Sequence, residues 1–336
     1  MKPLSAWSRR AKARLVFYPS LVGLAAGFVA WMTVMPGKSH HGTLDPLTED
    51  ERTLVPILRR DVTQLATDIG ARNTNHRGTL DRARATVERR FVEAGYVPKA
   101  DVYDADGASS ANLEATREGT GNEIVVIGAH YDSAYEAPGA DDNASGVAVL
   151  FALARTFAAG DRPTRAIRFV AFVNEEPPHF WNPTMGSTHY ARGCKDRGDR
   201  IVAMLSLESL GYYRDEPGSQ KYPALFSAFY PDRADFVSFI GNVGSRSLVR
   251  SSIGAFRDGV HFPSEGAALP GFVAGVGWSD QWSFWQVGYD GVMVTDTAPF
   301  RNPNYHTTGD TTDTLDYQRL ARVTTGLGAV VRRLSH

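Results

Sequence analysis

Two imidazoles and four carboxylates in this 336-residue chain stand at or just beyond the ends of apolar runs: His130, Asp142, Glu175, Glu176, Glu208 and His306. A set of His, Asp and Glu without sulfur suits Zn2+, with Mn2+ and Co2+ as other fits. His130, Asp142, Glu176, Glu208 and His306 make five ligands, more than one four-coordinate zinc with an open position takes. A carboxylate bridging two ions about 3.5–4 Å apart resolves that arithmetic, because it counts once for each ion. Glu175, beside Glu176, is then left to face water as a general base, since successive carboxylates in a turn point different ways. Taken singly, each of these is an ordinary polar residue of a turn or strand end. Their joint placement after successive apolar segments carries the argument.

The segments that must position them read as follows. Ile124 to Ile127 is a short β-branched run that fits a strand buried on both faces, with His130 and Asp132 just beyond it. Pro138 to Asn143 is turn-rich, and Val147 to Ala158 reads as an apolar helix with Asn143 or Ser145 available to cap it. Ala166 to Val173 predicts a second buried strand running into Asn174, Glu175 and Glu176. Ile201 to Leu207 predicts a third, running into Glu208, and Gly291 to Val294 a fourth, followed by a loop that holds Tyr305 and His306. Glu51 to Gly70, Leu80 to Gly95 and Thr314 to Leu334 carry apolar residues at helical spacing, and Val97 to Glu114 holds short strand-like pieces. Gly211 to Trp285, rich in Gly, Pro, Ser and aromatics, reads as loops around the mouth of a site. Strands alternating with helices predict an α/β fold: a mixed, mostly parallel central sheet with helices on both faces.

A formal net charge of −1 gives no electrostatic case for a nucleic-acid partner. Cys194 is the only cysteine, which excludes an intrachain disulfide and a thiolate metal cluster. Arg9, Arg10, Lys12 and Arg14 precede Leu15 to Met35, an uncharged run of about the 20 residues a membrane-spanning helix needs. The basic flank is expected to stay in the cytoplasm. Residues 1–14 then form a cytoplasmic N-terminus, 15–35 a transmembrane anchor, 36–49 a linker and 50–336 the catalytic domain. That domain would lie in the periplasm or outside the cell. A cleaved export signal is the competing reading, although Trp31 to Met35 offers no clear small-x-small cleavage site.

The segments HYDS, GADDNASG, FVNEE, LESLGYY and YHTTGDTTDTLDY, in that order, resemble the M28 family of co-catalytic zinc peptidases, which are chiefly aminopeptidases. The resemblance runs from about Leu54 to the C-terminus and is closest to a bacterial branch in which NEEPP precedes a Met-Gly-Ser segment, here Met185-Gly186-Ser187. It implies a zinc exopeptidase fold and two zinc ions, held by His130, a bridging Asp142, Glu176, Glu208 and His306. It also implies Glu175 as general base, Asp132 as the carboxylate that orients His130, and Tyr305 as an oxyanion donor. Glu208 departs from the aspartate of the best-known members, and Gln281 replaces a histidine common after the Ser-Asp pair. Asp280 and Gln281 are therefore left out of the expected site. The chain between Asp132 and Glu175 is too short for an inserted domain.

The function this implies is a membrane-anchored aminopeptidase acting on peptides or N-terminal aminoacyl substrates, with the aromatic-rich segment Trp278 to Trp285 helping to close one end of the site. A glutaminyl cyclase-like acyltransferase, which tends to bind one zinc, would keep the same carboxylates. A non-catalytic ectodomain would lose ligands or the base, and this chain keeps all six. Oligomeric state is not legible from the sequence.

Overall fold

The strands that deliver the candidate ligands lie side by side in one sheet. The computed structural model describes residues 9–336, without the side chains of residues 9–16, 25, 224 and 225. Its strands are β1 (Lys99–Ala105), β2 (Ala108–Arg117), β3 (Glu123–His130), β4 (Ala166–Phe172), β5 (Arg200–Glu208), β6 (Val237–Asn242), β7 (Ser264–Leu269) and β8 (Gly291–Thr295). The sheet order is β1-β2-β4-β3-β5-β8-β6-β7. Strands β4, β3, β5 and β8 are mutually parallel, so their C-terminal ends share one edge. Strand β2 joins antiparallel to β4, and β6 antiparallel to β8.

The helices are α1 (Arg9–Thr33), α2 (Glu49–Thr63), α3 (Arg77–Glu93), α4 (Gly146–Phe157), α5 (Gly186–Asp196), α6 (Arg246–Gly259), α7 (Gln281–Gln286), α8 (Ala298–Arg301) and α9 (Tyr317–Ser335). Successive side chains of a strand point to opposite faces, and β3 uses this fully. Val125 and Ile127 enter a core with residues of α2, α3, α4, α6 and α9, while Ile124 and Val126 pack with Tyr190 of α5 and Phe284 of α7. Each such fully buried aliphatic side chain contributes about 1.5–3 kcal/mol. The expected mixed, mostly parallel sheet with helices on both faces is therefore the fold observed.

Several local expectations change. Gly211 to Trp285 is not a stretch of loops: it holds β6, α6, β7 and the start of α7. Leu248, Val249, Ser252, Ile253 and Phe256 bury one face of α6 at helical spacing, a pattern its serines and arginines obscure in composition. The helix expected to run to Gly70 ends at Thr63 and continues as a wider π-type turn over Gln64–Ile69. It opens on a capping box between Thr48 and Glu51. The pieces in Val97 to Glu114 are two long strands paired as a hairpin.

The expected linker 36–49 runs without regular structure as far as residue 48, and Glu49 already begins α2. Among the residues with described side chains, which in α1 begin at Phe17, no helix is long and apolar enough to cross a membrane. Part of the basic segment 1–14 and the side chains of Leu15, Val16 and Ala25 within the expected anchor lie outside the described residues.

Candidate metal centre

His130 is the last residue of β3 and Glu208 the last of β5, while Glu175 and Glu176 follow β4 in a short turn. Because these strands are parallel, a one-residue difference in strand length decides which side chain clears the sheet edge. The turns are set by unusual backbone. Asn174 and Ser209, beside the glutamates, and His306 itself take left-handed φ values of 59°, 46° and 59°. Non-glycine residues persist there only when their surroundings hold them. Asn174 is held by hydrogen bonds from its Nδ2 to Ser110 Oγ at 2.9 Å and Tyr103 Oη at 3.2 Å.

Asp142 sits at the centre. Its Oδ1 is 3.2 Å from His130 Nε2 and its Oδ2 is 3.1 Å from His306 Nε2. His130 Nε2 is also 3.3 Å from Glu208 Oε2, and His306 Nε2 is 3.2 Å from Glu176 Oε2. Three groups of candidate ligands result; two of them, His130–Asp142–Glu208 and Asp142–Glu176–His306, share only Asp142, and the third, His130–Glu175–Glu176, lies between them. Each imidazole nitrogen faces two carboxylates yet makes no properly directed hydrogen bond to either. Asp142 Oδ1 and Glu176 Oε1 are likewise buried without a hydrogen-bond partner. Orphaned buried acceptors are costly, and a cation held in each triad would give partners to His130 Nε2, His306 Nε2 and Asp142 Oδ1. Two ligands of a tetrahedral zinc, each about 2.0–2.1 Å from the ion, stand about 3.3 Å apart, close to the histidine–carboxylate spacings of both triads. The residues present therefore fit zinc.

The electrostatics follow from that crowding. Burial alone would lower the His306 pKa, but the carboxylates of Asp142 and Glu176, close against its Nε2, outweigh it and push the imidazole up to about 11. Burial is the largest influence on Glu176, which rises to about 7 with the Asp142 charge adding to the effect. Glu175 is raised well above the ordinary carboxylate range, chiefly by burial, with Glu176 and Glu208 adding like charge. Its Oε2 is 3.8 Å from His130 Nε2, outside hydrogen-bond reach.

Asp132 lies 3.5 Å from His130 Nδ1 through Oδ1, longer than a hydrogen bond. Its oxygens instead accept the backbone N–H groups of Glu175 and Glu176 at 3.2 and 3.1 Å. Asp132 therefore holds the turn of the two glutamates, where the sequence led us to expect a carboxylate that orients His130. Tyr305 stacks on the ring of its neighbour His306, with centroids 3.8 Å apart. Burial and the surrounding carboxylates keep its phenol protonated by raising its pKa. Of the two expected caps for α4, Asn143 serves: its Oδ1 accepts Gly146 N–H at 3.1 Å, and Ser145 makes no such bond.

Sequence reasoning missed several residues here. Asp310 accepts the N–H groups of Asp141 and Asp142 at 2.9 and 3.1 Å and so fixes the bridging loop. Arg72, fully buried, donates to the carbonyls of Tyr131, Pro138 and Gly139, tying the loop after His130 to the one before Asp142. Ser279 Oγ donates to Glu208 Oε2 at 2.6 Å. Asp280, left out of the expected site, is fully buried with both oxygens unpartnered. Burial raises its pKa to about 7, against the opposing influence of His130. Gln281 is structural, donating to Val276 O at 3.1 Å. Of these, Ser279 and Asp280 stand in the Ser-Asp pair and Asp310 in the segment YHTTGDTTDTLDY, whereas Arg72 has no sequence signal.

An almost wholly apolar cavity opens beside the triads, starting at Glu208 and Tyr305 and lined by Tyr222, Phe236, Trp278 and Phe300 among others. Of the aromatics in Trp278 to Trp285, Trp278 lines it, whereas Trp282 stacks on Trp181 and Trp285 donates to Gly291 O.

Comparison with known proteins agrees with this arrangement. The sequence model of Peptidase family M28 matches residues 112–331. YfbL, an uncharacterised protein of Escherichia coli K12, is 33% identical over 94% of this chain and 96% of its own length. The zinc aminopeptidase BSAP of Bacillus subtilis superposes with a TM-score of 0.66 at 15% identity, over 82% of this chain and 94% of that one. A Bacteroides thetaiotaomicron glutaminyl cyclase superposes with a TM-score of 0.61 at 16% identity, over 86% and 99%. At those identities the structures show a shared fold, and the family match covers both triads. This chain belongs to peptidase family M28 and is a hydrolase acting on peptides.

Proposed function

We propose that the chain is an aminopeptidase that holds two zinc ions, with His130, Asp142 and Glu208 binding one and Asp142, Glu176 and His306 the other. The observation that carries the reading is Asp142, whose two oxygens each face a different histidine. When bound, zinc at such sites acidifies water and polarises a peptide carbonyl. Glu175 is the base in this reading: it takes the proton of the attacking water and returns it to the departing amine as the C–N bond breaks. The water oxygen ends on the carbonyl carbon, giving a free amino acid that carries the new carboxylate and a peptide shortened by one residue with a free amine. Tyr305, kept protonated, donates to the oxyanion that forms on the carbonyl oxygen. Asp132 and Asp310 hold the two loops still while this happens, which spares reorganisation in the transition state.

The glutaminyl cyclase-like reading shares the fold. Two three-residue sets that share only Asp142 favour the two-ion hydrolase over it, and a complete set of ligands with its base disfavours a non-catalytic ectodomain. A metal analysis joined to a panel of aminoacyl amides and N-terminal glutaminyl peptides separates them. Release of N-terminal residues by a two-ion protein supports the proposal. Cyclisation of glutaminyl peptides without hydrolysis, by a one-ion protein, overturns it.

For the N-terminus we propose an uncleaved membrane anchor over 15–35, with the catalytic domain in the periplasm or outside the cell. The basic flank and uncharged run support it. So does the exposure of Phe17, Leu21, Val22, Leu24 and Phe28 along α1.

A further inference from the structure

Helix α1 meets the catalytic domain at the back of the apolar cavity. Val29 and Met32, in its last two turns, pack in a cluster with Tyr230, Ala267, Leu269, Val273 and Val276. The same five side chains line the cavity that begins at Glu208 and Tyr305. The cavity wall is thus one side chain thick there, with substrate space on one side and α1 on the other. Met35, two residues past the helix, stands behind cavity-lining Gly266, where an added Cβ would come within 3.0 Å of its Cγ.

The junction is a built one. The last carbonyls of a helix have no partners within it; an arginine of α6 supplies one to Trp31, and two more hold the carbonyls of the chain just beyond α1. Arg246 Nε donates to Trp31 O at 2.7 Å and lays its guanidinium 4.4 Å from the Trp31 ring centre. Arg250 donates to Val34 O, and Arg257 donates to Pro36 O at 2.8 Å. Met32 is buried, whereas the face of α1 farther from the domain is not.

We propose that the last two turns of α1 determine substrate specificity: Val29 and Met32 brace the cavity wall so that the cavity takes a large apolar N-terminal side chain. The inference rests on the aminopeptidase reading for the direction in which the substrate lies. Its physical basis is packing. A wall of side chains backed by a close-packed helix keeps its shape, and one with the backing removed relaxes into the space left behind.

The test uses the full chain in detergent micelles, comparing wild type with Met32→Ala and with the double variant Arg246→Ala, Arg250→Ala, which loosens the junction without touching the cavity. Leu21→Ala, on the exposed face, is the control. Two ratios are read: kcat/KM for phenylalanyl against alanyl p-nitroanilide, and the binding of L-phenylalanine against L-alanine by calorimetry. Both ratios are expected to fall at least about fivefold in the two junction variants, a change of the size one or two methylenes cause in an apolar pocket. They stay unchanged in Leu21→Ala, while metal content and alanyl turnover stay within about twofold, and Met32→Leu restores both ratios. Should Met32→Ala fail to fold, the arginine pair decides. Unchanged ratios in the arginine double variant overturn the inference. A wild-type chain that binds L-phenylalanine over L-alanine but cleaves no free N-terminus overturns the aminopeptidase reading instead, and the binding ratio in the variants still decides whether α1 braces the cavity.

Discussion

Ser279 donates its hydroxyl hydrogen to Glu208 Oε2 across 2.6 Å, reaching from the turn before α7 to the end of β5. Ser209 Oγ holds the other oxygen, Oε1, at 3.1 Å. A glutamate has one more rotatable bond than the aspartate of the best-known relatives, and these two hydroxyls remove the extra freedom. They leave Oε2 facing His130 Nε2 at 3.3 Å.

Ser279→Ala therefore weakens the His130–Asp142–Glu208 site selectively. Loss of a hydrogen bond that orients a ligand typically costs about 10–100-fold in metal affinity. Competition titration with a chelator should show one of the two ions leaving earlier, while the other keeps its wild-type affinity. Equal weakening of both ions, or of neither, would show that Ser279 does not act through Glu208.

Glu175→Gln and Glu176→Gln are expected to separate base from ligand. General-base catalysis contributes about 10²–10⁴-fold, so Glu175→Gln loses that much turnover and keeps its metal. Glu176→Gln loses metal from the His306 side, and added zinc partly restores its activity. Paired elemental analysis and steady-state kinetics check both. Near-normal turnover in Glu175→Gln, or metal loss there and not in Glu176→Gln, would exchange the roles of the two residues.

The four parallel strands were legible because burial on both faces makes each a continuous apolar run, and the ligands stand where those runs stop. Asp142 could be read from its turn. Arg72 could not, because the carbonyls it satisfies lie 59 to 67 residues away in sequence. Asp280 was passed over because the residue after it departs from the family pattern, although its own burial does not depend on Gln281. Strand β7, with Gly266 between Glu265 and Ala267, has too little apolar content to signal a strand, and only its pairing with β6 makes it one. The docking of α1 onto that region is invisible in the sequence for the same reason: it joins residues more than 200 positions apart.

Metal binding is expected to release protons at neutral pH. Without metal, His306 keeps its proton up to about pH 11, because Asp142 and Glu176 stabilise the cation more than burial opposes it. As a ligand the imidazole must be neutral, so that proton leaves when zinc arrives. Apparent affinity then rises with pH by roughly tenfold per unit for each proton released. Calorimetry in buffers of differing ionisation enthalpy counts the protons. A count of zero at pH 7 would mean that His306 is not a ligand. His306→Ala should reduce the count by about one.

Anchoring is checked by fractionating cells that express the full chain. An uncleaved anchor leaves the protein with the membranes, resistant to carbonate extraction, with Met1 to Met35 retained. A soluble exported form beginning near residue 36 would mean that the segment is a cleaved signal.

The central claim is that Asp142 joins two metal sites, and the most direct measurement is the zinc content of the intact, reconstituted chain beside that of Asp142→Asn. The account predicts two zinc ions per chain for the wild type. It predicts loss of both in the variant, because a neutral amide bridges two cations poorly. One ion per wild-type chain, or an Asp142→Asn variant that still holds two, would contradict it.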